Sequence, residues 1–302
     1  MTRKRPGRDV RGVLLLDKPR GLTSNRALQR VKRLFGAAKA GHTGSLDPLA
    51  TGMLPICFGP ATKLSGYLLE GRKTYAVTAA LGVATDTGDA DGTVTERSDA
   101  PPPDLGRVRA VLESFVGESD QVPPMYSALK QEGRRLYELA RQGIVVERKA
   151  RTVRIFELGL DRYAWPELAF TVSCSKGTYV RTLVVDVAAR LGTLAHVTAL
   201  RRLGVGPFGP EAMVELERVE AAAEIGFEAL DRLLLPMDGV LADRPSLTLS
   251  ERDERAIREG RPVQDRSWPA GVTRLYAADG RFLGVAEISA EGALAKRRLF
   301  GA

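Results

Sequence analysis

The sequence predicts an α+β fold, in which helices and strands follow one another without a regular β-α-β repeat. Residues 13–16 form a short apolar run that is typical of a buried strand. Residues 73–81 alternate as a half-buried strand does, with Tyr75 and Val77 on one face. Residues 178–191 carry apolar side chains at helical spacing, which indicates a buried helix.

Capping residues and turn formers place the other elements of the N-terminal half. Ser24 is predicted to cap a helix that ends at Gly36, and residues 61–70 are predicted to form a second, short helix. Residues 85–91 are acidic and contain glycine, which favours a loop over a metal site because no glutamate follows at the spacing of a calcium loop. A third helix is expected at 105–112.

The middle of the chain combines proline, basic residues and strand-like runs. The segment 121–128 contains two adjacent prolines and is expected to be extended. A basic helix with Arg134, Arg135 and Arg141 is predicted to follow and to end near Gly143. The remaining runs of this region are typical of strands, and they lie at 144–146, 152–160 and 167–174.

The chain is predicted to divide into an arm and two domains. Residues 1–10 read as a flexible basic arm, and prolines and glycines near 236–246 mark a boundary. Residues 11–243 are therefore assigned to the main domain and residues 244–302 to a small, mostly β module. Within the module, the Asp279–Gly280 pair between two strand-like runs is a strong hairpin signal.

Composition restricts the classes of function. The chain has 302 residues and a net charge of +8, which favours a polyanionic partner, nucleic acid before membrane. Cys57 and Cys174 are too few for a disulfide framework and are expected in the core, and with His42 and His196 as the only histidines a zinc site is not expected. The apolar run at 13–16 is too short for a signal peptide or a membrane span, so we expect a cytoplasmic protein.

One segment, residues 41–52, stands out because it holds a single carboxylate, Asp47, in a stretch of glycine, serine, threonine and proline. Its four turn formers indicate a tightly defined backbone. Pro48 biases Asp47 towards an extended conformation. A lone acid in a neutral, rigid loop indicates a chemical group that is placed for a reaction.

This segment and its continuation to residue 63 resemble the catalytic motif of the TruB family of tRNA pseudouridine synthases. Four further segments resemble that family in the expected order, and they are 15–24, 73–75, 123–128 and 175–183. The C-terminal module resembles a PUA domain, a small RNA-binding β barrel, through Gly260, Gly280 and residues 282–285. The resemblance implies a pseudouridine synthase fold with a mixed, largely antiparallel central sheet, and a β-barrel-like PUA module after it.

The resemblance also implies an activity and a partner. Members of the family isomerise uridine 55 in the T arm of tRNA to pseudouridine, so the expected partner is the tRNA T stem-loop. The uracil is detached from the ribose and rejoined through C5, with no redox change, and neither a cofactor nor a metal is expected. We expect a monomer that does not associate with a membrane. We also expect a tRNA-folding role beside catalysis.

Site residues follow from the same resemblance. Asp47 is the expected catalytic carboxylate, which would attack C1′, add to the base or remove a sugar proton; the sequence leaves these routes open. Arg181 is its expected basic partner, and Tyr75 is expected to stack on the flipped uracil. Tyr179 and Leu200 are expected to line the base pocket.

Contacts with RNA are expected outside the base pocket. His42 is expected to position the nucleotide, while Lys18 and Lys63 would contact either phosphate or neighbouring loops. An RNA-gripping insertion is expected at about 123–152, and its basic residues include Lys130, Arg134 and Arg141.

Two other functions fit parts of this pattern. A non-catalytic RNA-binding or RNA-folding factor would need only the basic surface and the PUA-like module, but the combination of Asp47, Tyr75 and Arg181 argues against it. A guide-RNA-dependent pseudouridine synthase would share the catalytic motifs. The short C-terminus without a lysine-rich tail argues against this second alternative.

Overall fold

The structure is a computed structural model that describes residues 7–131 and 133–300. Its strands are β1 (Gly12–Lys18), β2 (Ala40–His42), β3 (Thr51–Phe58), β4 (Lys73–Leu81), β5 (Val83–Thr85), β6 (Val94–Arg97), β7 (Gly117–Gln121), β8 (Lys130–Gln131), β9 (Arg134–Arg135), β10 (Arg151–Ala164), β11 (Glu167–Cys174), β12 (Ala195–Val205), β13 (Val214–Glu215), β14 (Ser246–Thr248), β15 (Gly271–Tyr276), β16 (Phe282–Ile288) and β17 (Leu294–Leu299). Its α-helices are α1 (Ser24–Leu34), α2 (Ser65–Glu70), α3 (Leu105–Glu113), α4 (Leu136–Ala140), α5 (Val180–Leu191), α6 (Leu216–Ile225), α7 (Phe227–Asp231) and α8 (Glu251–Arg258).

The central feature is a mixed sheet with the strand order β13-β1-β3-β12-β4-β11-β10-β7, to which β2 adds by pairing with β3. Two of its pairings are parallel, β1 with β13 and β3 with β12, and the others are antiparallel. The predicted α+β class and the largely antiparallel sheet are therefore confirmed. The alternation in β4 has the expected effect, because Val77, Ala79 and Leu81 are all buried.

Helices cover the sheet and close its core. Helices α3 and α5 pack on one part, where Val77, Phe170 and Val187 are buried together. Helices α1 and α6 pack on the other part, around Val31 and Leu54. These contacts explain why β1 and β3 read as continuous apolar runs, since strands that are covered on both faces have no solvent side.

The C-terminal β module is an open sheet with the order β14-β15-β16-β17. Gly280 lies in the predicted hairpin turn with φ of +85°, a left-handed conformation that glycine adopts at little cost. Leu275 and Ile257 belong to a small core inside the module. Val285 and Phe300 instead pack against Val13 and its neighbours on the central sheet, so the module is joined to the main body by apolar contact.

The cap of α1 differs from the prediction. Thr23, not Ser24, is the N-cap residue, and its hydroxyl accepts a hydrogen bond from the Arg26 amide. Ser24 is buried, and its hydroxyl bonds the backbone of Leu46 instead. The Ser24 hydroxyl is thus used in a tertiary contact with Leu46, and the adjacent Thr23 hydroxyl caps the helix.

The basic insertion also differs from the prediction. Arg134 and Arg135 lie in β9, which forms a hairpin with β8, and only the short helix α4 follows. Gly133 has a φ of +82°, a turn conformation that interrupts a helix, so the predicted longer helix is wrong. The predicted strand at 144–146 is also wrong, since residues 144–150 form neither helix nor strand.

The predicted flexible arm is only partly described, because residues 1–6 lie outside the described residues. Residues 7–10 are not free. Val10 is buried, and the Arg8 guanidinium donates to Asp231 and lies 4.1 Å from the centre of the Phe227 ring. Within the described part of the chain, no helix has the length and apolar character needed to cross a membrane.

Truncation of the core at Leu54 should destabilise the fold. Leu54 lies on β3 and is fully buried, so Leu54→Ala should lower the free energy of unfolding by about 2–5 kcal/mol. The control Val94→Ala truncates an exposed side chain on β6 and should change it by less than about 0.5 kcal/mol. Urea unfolding followed by circular dichroism measures both, and equal losses would contradict the assignment of the core.

Candidate active site

A cavity of about 570 Å³ lies between the Asp47 loop, β4, the start of α5 and the base of the insertion. The five residues expected in catalysis and in the base pocket all line it, although they come from separate parts of the chain: Asp47, Tyr75, Tyr179, Arg181 and Leu200. The fold therefore brings these five side chains to one site.

Buried polar contacts hold the loop that carries Asp47. The Ser24 hydroxyl accepts from the Leu46 amide at 2.7 Å and donates to the Leu46 carbonyl at 3.0 Å. Arg202 donates from Nη2 to the Gly44 carbonyl at 3.0 Å and from Nε to the Met53 carbonyl at 2.6 Å. The backbone ahead of Asp47 is thus tied to α1 through Ser24 and to β12 through Arg202, which limits the positions that Asp47 can adopt.

Lys18 fixes the same loop from the other side. Its side chain is 0% exposed, and Nζ donates to the Pro48 carbonyl of the loop at 3.5 Å and to the carbonyls of Pro19 and Leu22 at 2.9 and 2.7 Å. Burial lowers the pKa of Lys18 to about 8, and the nearby Asp47 charge opposes that change. The structure thus places Lys18 in contact with neighbouring loops.

Arg181 uses all of its nitrogens to join three segments. Nε donates to Asp47 Oδ2 at 2.9 Å, Nη1 to the Thr87 carbonyl at 2.5 Å and Nη2 to the Tyr126 carbonyl at 2.7 Å. The arginine side chain is 5% exposed, whereas that of Asp47 is 42% exposed, towards the cavity. The guanidinium is therefore a fixed structural cation, and the carboxylate beside it remains open to a bound molecule.

Asp89 is a site residue that sequence reasoning missed. It is buried, and its Oδ2 lies 3.6 Å from Arg181 Nε, on the side away from solvent. Its Oδ1 accepts from the Thr87 hydroxyl and the Asp91 amide. The acidic composition of the 85–91 loop was the available signal, but only the fold shows that one of these acids faces Arg181.

The pKa of Asp47 reflects opposing influences. Burial raises it, the Arg181 charge and hydrogen bond lower it, and the Asp89 charge raises it again. The direction is upward from the ordinary aspartate value. Arg181 is thus the group that favours the ionised carboxylate in a setting that otherwise disfavours charge.

Tyr75 and Arg202 form the floor of the cavity. They are register partners on β4 and β12, so both side chains leave the same face of the sheet. Burial raises the pKa of Tyr75, and the adjacent Arg202 charge opposes that shift. Arg202 is 1% exposed and was missed in the sequence, where it reads only as one of two adjacent basic residues.

Two more residues that line the cavity are Tyr179 and Leu200. Leu200 is buried on β12, opposite Val77. Tyr179 is the N-cap residue of α5, and its backbone is bonded by Gln121, a third residue that sequence reasoning did not single out. Burial raises the pKa of Tyr179.

The residues expected to contact RNA do not line the cavity. His42 is half-buried on β2, and burial followed by the Arg202 charge lowers its pKa. Lys63 is exposed, with its ammonium 6.0 Å from the centre of the Phe300 ring. The remaining three are exposed in the insertion: Lys130, Arg134 and Arg141.

Comparison with protein families gives matches along most of the chain. Residues 32–180 match the family model described as "TruB family pseudouridylate synthase (N terminal domain)". Residues 181–242 match "tRNA pseudouridylate synthase B C-terminal domain", and residues 245–300 match "Pseudouridine synthase II TruB, C-terminal".

Curated proteins of several bacteria are similar over nearly their whole length. The tRNA pseudouridine synthase B of Nitrosococcus oceani is 52% identical over 298 residues, which are 98% of this chain and 97% of that protein. The protein of the same name from Ectopseudomonas mendocina is 53% identical over 300 residues, with the same coverage of 98% and 97%.

Solved structures show the same fold at low identity. The match to a Cbf5-Nop10-Gar1 complex has a TM-score of 0.73 at 22% identity and covers 96% of this chain and 84% of that one. An H/ACA RNP bound to a substrate RNA that contains 2'-deoxyuridine matches with a TM-score of 0.71 at 20% identity, and it covers 99% and 89%. Family matches, full-length relatives and fold agree, and the chain belongs to the TruB family of pseudouridylate synthases, isomerases that convert uridine to pseudouridine.

Proposed function

We propose that this protein converts uridine 55 in the T arm of tRNA to pseudouridine and that Asp47 is its catalytic carboxylate. The observation that carries the proposal is the contact between Asp47 and the buried Arg181 at a cavity that also holds Tyr75. The names of the relatives support tRNA as the substrate. Because tRNA acts in the cytoplasm, the enzyme is proposed to work there.

The reaction needs a carboxylate that is ionised and aimed at the sugar. When the bond between C1′ and N1 breaks, C1′ becomes electron-poor, and an adjacent carboxylate stabilises that charge or bonds to it. The freed uracil turns, C5 bonds to C1′, the proton of C5 leaves and N1 acquires a proton, so no atom is gained or lost. Arg181 keeps Asp47 oriented throughout, since its other donors are fixed on backbone carbonyls.

The target nucleotide must leave the RNA stack before Asp47 can reach its sugar. The cavity volume lies within the range of about 300–1,000 Å³ that is typical of small-molecule sites. Tyr75 is proposed to stack on the uracil, and such stacking contributes about 1–3 kcal/mol per base, which offsets part of the cost of unstacking. Tyr179 and Leu200 are proposed to form the walls that the base contacts.

Recognition of the T stem-loop is proposed to use the basic surface around the cavity. Residues 11–243 would form the catalytic domain, in which the insertion at about 123–152 grips the RNA with Lys130, Arg134 and Arg141. His42 and Lys63 would contact the RNA closer to the site. Residues 244–302 would form an RNA-binding module, and one copy of the chain would suffice for activity and for an accompanying tRNA-folding role.

Replacement of the Asp47 carboxylate should abolish catalysis but leave tRNA binding intact. Asp47→Asn should lower the rate of pseudouridine formation by about 10⁴-fold, because the amide can neither stabilise positive charge at C1′ nor bond to it. Tritium release from labelled tRNA measures the rate, and filter binding should show tRNA affinity within about threefold of the wild type. Asp99→Asn, at an exposed acid, is the matched control and should retain full activity.

The wild-type protein in that assay also separates the alternatives. Purified protein that acts alone on an unmodified T-arm hairpin contradicts dependence on a guide RNA. Normal turnover by Asp47→Asn would reject the role given to Asp47, and binding without turnover by the wild type would favour a non-catalytic RNA-folding factor.

Loss of the aromatic ring at position 75 should affect turnover more than binding. Tyr75→Leu should slow the reaction by about 10–100-fold, which corresponds to the loss of one stacking contact. Tyr75→Phe keeps the ring and isolates any part played by the hydroxyl. Single-turnover rates and tRNA affinities decide, and an unchanged rate in Tyr75→Leu would make Tyr75 a packing residue only.

The pH profile should depend on Asp89. Because the Asp89 charge raises the pKa of Asp47, Asp89→Asn should move the acid limb of kcat/KM to lower pH, where the wild-type carboxyl is already protonated. The amide oxygen can still accept from the Thr87 hydroxyl and the Asp91 amide. Tritium release across the acidic pH range measures the acid limb of kcat/KM, with Asp99→Asn as control. An acid limb that keeps its position or moves to higher pH would contradict the electrostatic effect of Asp89 on Asp47.

A further inference from the structure

The start of α5 is held by one glutamine side chain. Gln121 Nε2 donates to the Tyr179 carbonyl at 3.1 Å, and Gln121 Oε1 accepts from the Tyr179 amide at 2.7 Å. The amide side chain thus pairs with both backbone groups of one residue, as a neighbouring strand would. Gln121 is buried, and it lies behind the Asp47 cavity rather than in its lining.

The position of this contact matters for the site. Tyr179 is the N-cap residue of α5 and makes no side-chain capping bond. Arg181, which reaches Asp47, lies two residues further along. The segment before Tyr179 contains Gly177, which has a φ of +80° and no atom within 4 Å of the place where a Cβ would stand. Ser175, four residues before Tyr179, is bonded to the backbone of Arg154, and the pair of bonds from Gln121 fixes the backbone closer to the arginine, at Tyr179.

The same contact joins α5 to the insertion. Gln121 is the last residue of β7, and the chain passes from it through Pro123 to Tyr126. The Tyr126 carbonyl accepts from Arg181 Nη2 at 2.7 Å. Two hydrogen-bonded contacts therefore link the root of the insertion to the first turn of α5, one on the backbone of Tyr179 and one on the side chain of Arg181.

We propose that Gln121 is a positioning residue for catalysis: it sets the backbone of Tyr179, and through it the reach of Arg181 to Asp47. Gln121 touches no reacting atom, so its effect is on the geometry of the carboxylate and its cation. The proposal rests on the proposed function, because it assigns Asp47 and Arg181 to the reaction. It adds a residue that neither the motif around Asp47 nor the lining of the cavity identifies.

The first test removes both bonds. Gln121→Leu has a similar size but leaves the amide of Tyr179 without a partner and its carbonyl with only the Leu183 amide, which donates to it at 3.0 Å. The rate of pseudouridine formation in single turnover should fall by about 10–100-fold, the size expected when a catalytic pair is displaced by a fraction of an ångström to 1 Å. KM and tRNA affinity should stay within about threefold of the wild type, because the RNA-contacting surface is unchanged.

The matched control is Gln29→Leu, at an exposed glutamine on α1. This variant should leave both kcat and KM unchanged. A Gln121→Leu rate within twofold of the wild type overturns the proposal. An unchanged kcat with a raised KM overturns it as well, since that result assigns Gln121 to RNA binding. Inactivity of the wild type itself would reject the proposed function and this role with it, whereas an active wild type with an unaffected variant rejects the role alone.

A second variant keeps the test valid if Gln121→Leu does not fold. In Gln121→Glu, an ionised carboxylate accepts from the Tyr179 amide but cannot donate to its carbonyl, whereas a protonated carboxyl does both. Burial raises the pKa of such a carboxyl, so the ratio of the variant rate to the wild-type rate should rise between about pH 8 and about pH 6. A purely structural role predicts a ratio that does not change with pH, and that result overturns the proposal.

Discussion

The candidate active site depends on one buried cation, Arg181. Arg181 comes from the first turn of α5, and its donors meet the Asp47 carboxylate and the backbone carbonyls of Thr87 and Tyr126. Three segments that are distant in sequence are thus fixed relative to one another by a single planar group. Arginine suits this task because its rigid fork offers several donors at set angles, which a lysine ammonium does not.

The groups around Arg181 hold it in place, but burying charged groups beside it costs electrostatic free energy. Asp89 is withdrawn from water beside the cavity, Asp47 is partly exposed, and the burial of the remainder of Asp47 raises its pKa. Arg181 counteracts that shift, while Ser24, Lys18 and Arg202 fix the loop and leave it little freedom. The site therefore combines a carboxylate whose burial disfavours ionisation with two cations, Arg181 and Lys18, that favour its ionised form, an arrangement typical of catalytic groups.

Local sequence patterns predicted many of the helices and strands. Long-range contacts decided the cap of α1 and the residues that surround the site. We predicted β4 and α5 from their apolar periodicity and the hairpin at Gly280 from its turn residues. These signals depend only on residues near in sequence, and the predictions were correct. Thr23 replaced Ser24 as a cap because Leu46 takes the Ser24 hydroxyl, and no local rule reports such a contact. Asp89, Gln121 and Arg202 were missed for the same reason, since each acts on a partner at least about fifty residues away or across the sheet. Arg181 was singled out only because a family motif marks it, whereas Asp47 also stood out as a lone acid in a neutral loop.

The separation between Asp47 and Arg181 has a consequence for the protein while it is being made. The two residues are 134 positions apart, and the loop of Asp47 is tied to Ser24 of α1, which is synthesised early, and to Arg202 of β12, which is synthesised after α5. A nascent chain that has not yet produced α5 and β12 therefore lacks both the counter-charge of the Asp47 carboxylate and one of the ties of its loop. With the proposed role of Asp47, unfinished chains would be silent towards the tRNA molecules that crowd around the translating ribosome.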